Sequence, residues 1–364
     1  MATIADVARK AGVSRTAVSF AFNDSSRISK DTYARIHAAA DELGYYPNPA
    51  ARRLSTKRAD VIGLLIPQQI TALFANPFFA SLLRGIGHVC DRYDYAVLLV
   101  PPVQGSLTSA LRRAAVDGLI VVGLDEDHPA IVALVRQGIP FVTVDGPALP
   151  HAPAVNVDDE AGAYEAAHHL LSLGHREVLM ISIRPAQADL AAEAVHPFSY
   201  VAARRLDGYR RAFAEADVPF QDEYIIPVDT SHQGGQRALR TAWLAGARPT
   251  AVLAMSDITA LGVLEAAISL GLSVPADLSV VGFDDIPPAE WSRPALTTVR
   301  QGGVDKGMRA ARLLIESQLG NQPVEHQMLP TTLIVRDTTA QPRTRRLPEG
   351  HDQQALHSEV RSRV

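Results

Sequence analysis

Past residue 60 the chain twice repeats one alternation, a short and almost wholly apolar run followed by an amphipathic stretch of helical period. The first set has strand-like runs at 61–66, 96–100, 119–122 and 141–144, with helices expected over 77–91 and near 107–115 and 130–137. The second set begins after Asn156-Val157-Asp158. Its helices are expected over 160–173, 199–216, 233–244 and 259–270, and its strands over 178–183, 224–228, 251–255 and 279–283. Strands that are apolar on both faces belong in a parallel sheet with helices on each side. Two such sets predict two doubly wound α/β lobes with a cleft between them, and ligands bind outside the carboxyl ends of such strands.

The first 58 residues follow a different, all-helical pattern. Apolar Ile4, Val7, Ala8 and Ala11 recur at i, i+3, i+4 and i+7, one face of a helix. Thr3 is placed to cap it, with Asp6 in the capping-box position, and Gly12 supplies its left-handed end. Ser14 caps a second helix with Val18 and Phe22 turned inward and Arg15, Thr16 and Ser19 turned out. Ser29 caps a third, expected to bury Tyr33, Ile36, Ala40 and Leu43, with Ile28 stapling against Tyr33. Asn48 as N-cap and Pro49 at the first helical position specify a fourth helix of about six residues. Two short helices joined by a tight turn, the second with polar groups at its start, is the geometry that enters a DNA major groove.

Charge is distributed to match. Residues 1–60 hold ten Lys and Arg against six Asp and Glu, a surplus of +4 within a chain whose formal net charge is −4. A basic module on an acidic body is the electrostatic footprint of a DNA reader. A lone Cys90 excludes an intramolecular disulfide and fits a reducing compartment. The N-terminus has no charged-then-apolar leader and no apolar run is long enough to span a bilayer, so a cytoplasmic protein without membrane partners is expected.

The segment Thr3 to Ser19, together with Asn23 and Gly44-Tyr45-Tyr46-Pro47-Asn48 continuing to Leu54, resembles the headpiece of the LacI/GalR family of bacterial transcriptional regulators. The resemblance continues to about Thr339, through His169–Val178, Arg204–Tyr209, Asp257–Gly262, Asp277–Asp285 and Pro294–Gln301. It implies an N-terminal helix-turn-helix headpiece (1–58, hinge helix about 48–56) on a core similar to periplasmic sugar-binding proteins (59–339). That core would hold a first lobe of about 60–157 and 288–320 and a second of 158–287 and 321–339, followed by a disordered tail over 340–364. It further implies a homodimer on a pseudo-palindromic operator, expected to act as a repressor, with affinity set by a small molecule, expected to be a carbohydrate, between the lobes.

Carried onto this sequence, the family pattern makes Arg15, Thr16 and Ser19 candidate base readers, with Ala17 against a thymine methyl. Asn23, Ser29 and Thr32 would touch phosphates. In the hinge, Asn48 begins the helix, Arg53 follows the minor groove and Leu54 wedges a central base step. In the cleft, Arg205 and Asp284 match the ligand-binding Arg and Asp, and Asp145 is a further carry-over. Asp284 also has a plain reading as a turn residue, since Asp285 follows it. One of Phe78 and Phe79 is expected to stack on a ligand ring, Phe78 being the candidate, and Trp291 is placed to line the cleft. Two positions depart from the family pattern. Phe20 stands where many members carry Arg, and Ser256 where many sugar-responsive members carry Asn.

Enzyme classes are excluded by inventory. The twelve histidines are scattered, no His/Cys/Asp set has metal spacing, and there is no G-x-S-x-G or Walker motif. No cofactor is expected. The remaining competitor is a solute-binding protein without a DNA role, which the headpiece and the absent leader oppose.

Overall fold

A computed structural model describes residues 2–46, 58–185, 199–318 and 324–343. The hinge helix expected at about 48–56, with Asn48, Arg53 and Leu54, lies outside them. The chain divides into two compact units, Met1–Val61 with Ala115–Asp117 and the remainder.

In the first unit three helices, α1 (Ile4–Ala11), α2 (Arg15–Asn23) and α3 (Lys30–Leu43), enclose a core of Val7, Ala8, Val18, Ala21, Ile36, Ala39 and Ala40. The starts follow from the caps. Thr3 donates its backbone N–H and its hydroxyl to Asp6 at 3.0 and 2.7 Å, while Ser14 Oγ accepts from Ala17 N at 3.1 Å. Gly12, at φ +66°, ends α1 in the left-handed region, which costs a residue without a Cβ nothing. Tyr33 departs from expectation. It is 40% exposed, with its ring centre 4.2 Å from that of His37. The α3 stripe that reaches the core is set by Ile36, Ala39 and Ala40, and Tyr33 falls on its edge.

The second unit holds two six-stranded sheets. Sheet one has the order β11-β5-β4-β3-β1-β2, from β1 (Val61–Leu65), β2 (Ala96–Val100), β3 (Gly118–Val122), β4 (Phe141–Val144), β5 (Ala154–Val157) and β11 (His326–Leu329). Sheet two has the order β12-β10-β9-β8-β6-β7, from β6 (Val178–Ile183), β7 (Ile225–Val228), β8 (Ala251–Ala254), β9 (Ser279–Asp284), β10 (Thr297–Arg300) and β12 (Thr332–Ile334). The registered pairs are parallel except β10 with β12.

The chain therefore changes lobes three times, after β5, after β10 and after β11. Two expected boundaries move. The return to the first lobe comes after Arg300 instead of at 288, because β10 pairs with β9. The last exchange comes after Leu329 instead of at 321, because β11 pairs with β5. β10 was not legible as a strand: its sequence Thr-Thr-Val-Arg looks polar, yet Thr297 and Thr298 are fully buried. Their hydroxyls are satisfied, Thr297 Oγ1 accepting from Arg336 N at 3.0 Å and Thr298 donating to Asp257. Of the tail expected over 340–364, residues 340–343 are described and are held in place. Ala340 N donates to Ser279 Oγ at 3.1 Å and Arg343 pairs with Asp277 at 2.7 Å, which fastens 340–343 to the second lobe.

In the first lobe α4 (Ile70–Ala75) and α5 (Pro77–Tyr93) follow β1, and α13 (Gly303–Arg312) packs on α5. Between them lie α6 (Leu107–Leu111) and α7 (Pro129–Gln137). The second lobe carries α8 (Asp159–Ser172), α9 (Tyr200–Glu215), α10 (His232–Leu244), α11 (Asp257–Ser269) and the short α12 (Pro287–Trp291). The approach of α13 to α5 depends on glycine. A Cβ at Gly307 would meet Leu82 O at 2.2 Å, and one at Gly85 would meet Val304 O at 2.0 Å. That contact holds Lys306, next to Gly307, against Asp145, which lines the cleft.

Candidate functional site

In the headpiece, α2 presents its first turn outward. Arg15 and Thr16 are exposed, Ala17 and Ser19 half-buried, and among the described residues Arg15 pairs with no carboxylate. Three other headpiece cations are engaged: Arg9 with Asp6 at 3.2 Å, Arg27 with Asp24 at 2.8 Å, and Lys10 with Glu42. Asn23 is exposed and donates from Nδ2 to Ser19 Oγ at 3.1 Å. Ser29 Oγ accepts from Thr32 N at 3.2 Å, so its hydroxyl serves the cap of α3. Phe20, at the position where many members carry Arg, has the Arg27 guanidinium over its ring at 5.1 Å.

The second site is a cleft of about 500 Å³ between the lobes. Phe78, Asp145, Arg205, Ser256 and Asp284 all line it, brought from α5, the end of β4, α9, the cap of α11 and the end of β9. Phe78 and Phe79 both reach it, edge to face with ring centres 5.5 Å apart, because Asn76 caps α5 by accepting from Phe78 N at 3.1 Å. Trp291 does not. It is 69% exposed on α12 and lies in a separate shallow depression with Leu261, Leu264 and Ile268.

Three site carboxylates hold strained backbones. Asp145 and Asp285 have φ +56° and +57°, and Asp284 has φ +133°. Such conformations in non-glycine residues persist where surrounding contacts over-determine them, and they concentrate at binding sites. Asp285 has the structural part, bridging Arg300 at 2.7 Å and Arg336 at 2.6 Å. Asp284 turns into the cleft instead. Burial pushes its pKa up to about 6, against the opposing pull of Arg205 and the Gln301 hydrogen bond. Burial, with the Asp284 charge beside it, holds Asp257 well above the usual carboxylate range.

A chain of polar contacts, invisible in the sequence, links the two lobes across the cleft floor. Lys306, with no exposed surface, donates to Asp145 Oδ1 at 2.6 Å and to Gln301 Oε1. The Gln301 amide donates to Asp284, whose other oxygen accepts from Asp257 N at 3.4 Å. Arg205, also buried, donates from Nε to Asp159 at 2.8 Å and from Nη1 to Met255 O. Gln301 ended a motif quoted for family likeness and could have been found there. Asp159 and Lys306 gave no signal, since charged residues on amphipathic helices read as solvated.

Residues 3–48 match the family model of bacterial regulatory proteins, lacI family, and residues 167–339 that of the periplasmic binding protein-like domain. The chain is 34% identical to the HTH-type transcriptional regulator DegA of Bacillus subtilis, over 93% of this chain and 98% of the relative. The chain belongs to the lacI family of bacterial regulatory proteins. Among solved structures, the lac repressor dimer bound to operator and the anti-inducer ONPF is similar at TM-score 0.75 and 27% identity, covering 93% of this chain and 99% of that one. A complex of the transcriptional regulator CelR with cellobiose matches at TM-score 0.68 and 28% identity, covering 93% and 100%. This lacI-family chain is a DNA-binding transcriptional regulator, and its relatives are regulators and not enzymes. No described helix is long and apolar enough to cross a membrane.

Proposed function

We propose that this regulator is a homodimeric repressor whose operator affinity is set by a small polar metabolite, carbohydrate in type, bound between the lobes. One observation carries this reading: Asp145 from the first lobe and Arg205 and Asp284 from the second line the same cleft. A ligand that contacts both lobes binds one closure state better than another, and only such a difference shifts the equilibrium. The proposal extends to residues. Arg15, Thr16, Ala17 and Ser19 read bases, and Asn23 and the start of α3 around Ser29 approach phosphates. Asn48, Arg53 and Leu54 form a hinge helix too short to be stable alone, which folds when DNA and a correctly spaced partner hold it.

Dimerisation is supported by the lac repressor's description as a dimer and by the exposed apolar surface around Trp291 and Ile268. Fluorescence anisotropy with DNA from the promoter region of the chain's own gene tests the reading, with and without a ligand found by thermal-shift screening. A ligand that raises the melting temperature and changes operator affinity is the expected result. A ligand that stabilises the core and leaves DNA affinity untouched sinks the allosteric part.

A further inference from the structure

The charged groups at the cleft are arranged so that each cation already has a carboxylate of the protein. Arg205 holds Asp159 at 2.8 Å, Lys306 holds Asp145 at 2.6 Å, and Arg184 at the rim lies 3.6 Å from Asp229. Asp284 differs: its hydrogen-bond partners are neutral, the Gln301 amide and the Asp257 backbone N–H. Three cations thus stand among four carboxylates, and burial raises the pKa of a fifth, Asp257.

Among the described residues four helix starts line the cleft, and the caps of three, Asn76 on α5, Ser199 on α9 and Ser231 on α10, accept from their own helices. The start of α11 faces the cleft at Ser256, and a helix N-terminus there would seat a phosphate or carboxylate. The Asp284 carboxylate occupies that seat through Asp257 N. Gln68 also lines the cleft, and its buried Oε1 has no partner among the described residues. The walls offer a ligand the acceptors Asp284, the second oxygen of Asp145 and Gln68 Oε1, beside the hydroxyls of Ser199, Thr230 and Ser231. The Arg205 nitrogen not committed to Asp159 or Met255 supplies a donor. An incoming anion meets a single uncommitted Arg205 nitrogen, and neutralising it fully would draw Arg205 or Lys306 from its own carboxylate, leaving a buried charge uncompensated.

Resting on the reading of this cleft as the effector site, we propose that it selects an uncharged or amine-bearing polyol and rejects the phosphorylated or carboxylated counterpart. Lys306 is a positioning residue in this scheme. It neutralises Asp145 from below, holds that carboxylate as an acceptor, and turns Gln301 so that its amide faces Asp284.

The test uses the full chain and matched probes: glucose, glucosamine, glucose 6-phosphate and gluconate, then ribose with ribose 5-phosphate, and cellobiose with cellobionate. Thermal shift identifies binders and calorimetry ranks each pair. The expected result is that binders are uncharged or amino members, each at least about tenfold tighter than its anionic partner. Asp284→Asn should weaken the binder and narrow that gap. An anionic member that binds as well as its neutral partner, with Phe78→Ala abolishing the binding, overturns the charge rule and leaves the cleft reading intact. Silence from every probe overturns both.

Discussion

Arg205 donates from Nε to Asp159 Oδ1 at 2.8 Å while its guanidinium carbon lies 3.5 Å from the centre of the Phe283 ring. One side chain thus joins α9, the start of α8 and the end of β9, and still presents a nitrogen to the cleft. A planar guanidinium can do all of this, and an ammonium cannot. Arg205→Met should cost about 3–5 kcal/mol of stability, because Asp159 is left buried and unpaired. Adding Asp159→Asn should recover part of that loss without recovering ligand binding. Chemical denaturation with a parallel ligand titration separates the two, and full recovery of binding in the double variant would remove Arg205 from the site.

Asp284 makes ligand affinity depend on pH. Its folded pKa is raised to about 6 by burial, so the folded state favours the protonated form. The stability this gives is complete below the ordinary carboxylate range and is lost as pH climbs through about 6. Hydroxyl donors of a polyol need the ionised form, so ligand affinity should rise from pH 5 to 7 and level off above. Asp284→Asn should flatten the rise and stabilise the unliganded core above pH 6, by on the order of 1–3 kcal/mol. Melting curves and calorimetry across that range check both signs, and a ligand affinity that falls with pH would refute the assignment.

Gly307 has a mechanical part. Its substitution by alanine places a Cβ 2.2 Å from Leu82 O, so α13 must move away from α5. Destabilisation of about 1–3 kcal/mol is expected from such overpacking. The same displacement draws Lys306 from Asp145, so ligand affinity should fall even where the protein remains folded. Thermal denaturation and a binding isotherm on the same sample test this, and unchanged binding would show that Lys306 does not depend on helix spacing.

For the headpiece, Ser14→Ala removes the cap that accepts from Ala17 N and should cost about 1 kcal/mol, read as a lower melting temperature of the headpiece. Leu54→Ala should lower specific operator affinity by about tenfold or more and leave the salt dependence nearly unchanged, since a wedge carries no charge. Arg53→Ala should instead reduce the salt slope by about one counterion. Anisotropy titrations over a salt series distinguish the two, and equal affinity of Leu54→Ala and the parent chain would end the wedge proposal.

Much of this protein is determined locally. Caps at Ser14 and Ser29, a left-handed Gly12 and unbroken apolar runs such as Phe141–Val144 act within a few residues, so the sequence alone defines the headpiece helices and most strands. The same local signals misplaced Tyr33 and Trp291, whose burial depends on what lies opposite, and they could not mark β10, whose threonines find partners far along the chain. The cleft's charge pattern is a tertiary matter throughout. Lys306 and Asp145 are 161 residues apart, and only the crossings after β5 and β10 bring Gln301 and Asp284 to complete the chain between the lobes. A buried lysine is stable only beside a carboxylate, and no sequence pattern records which one it will meet.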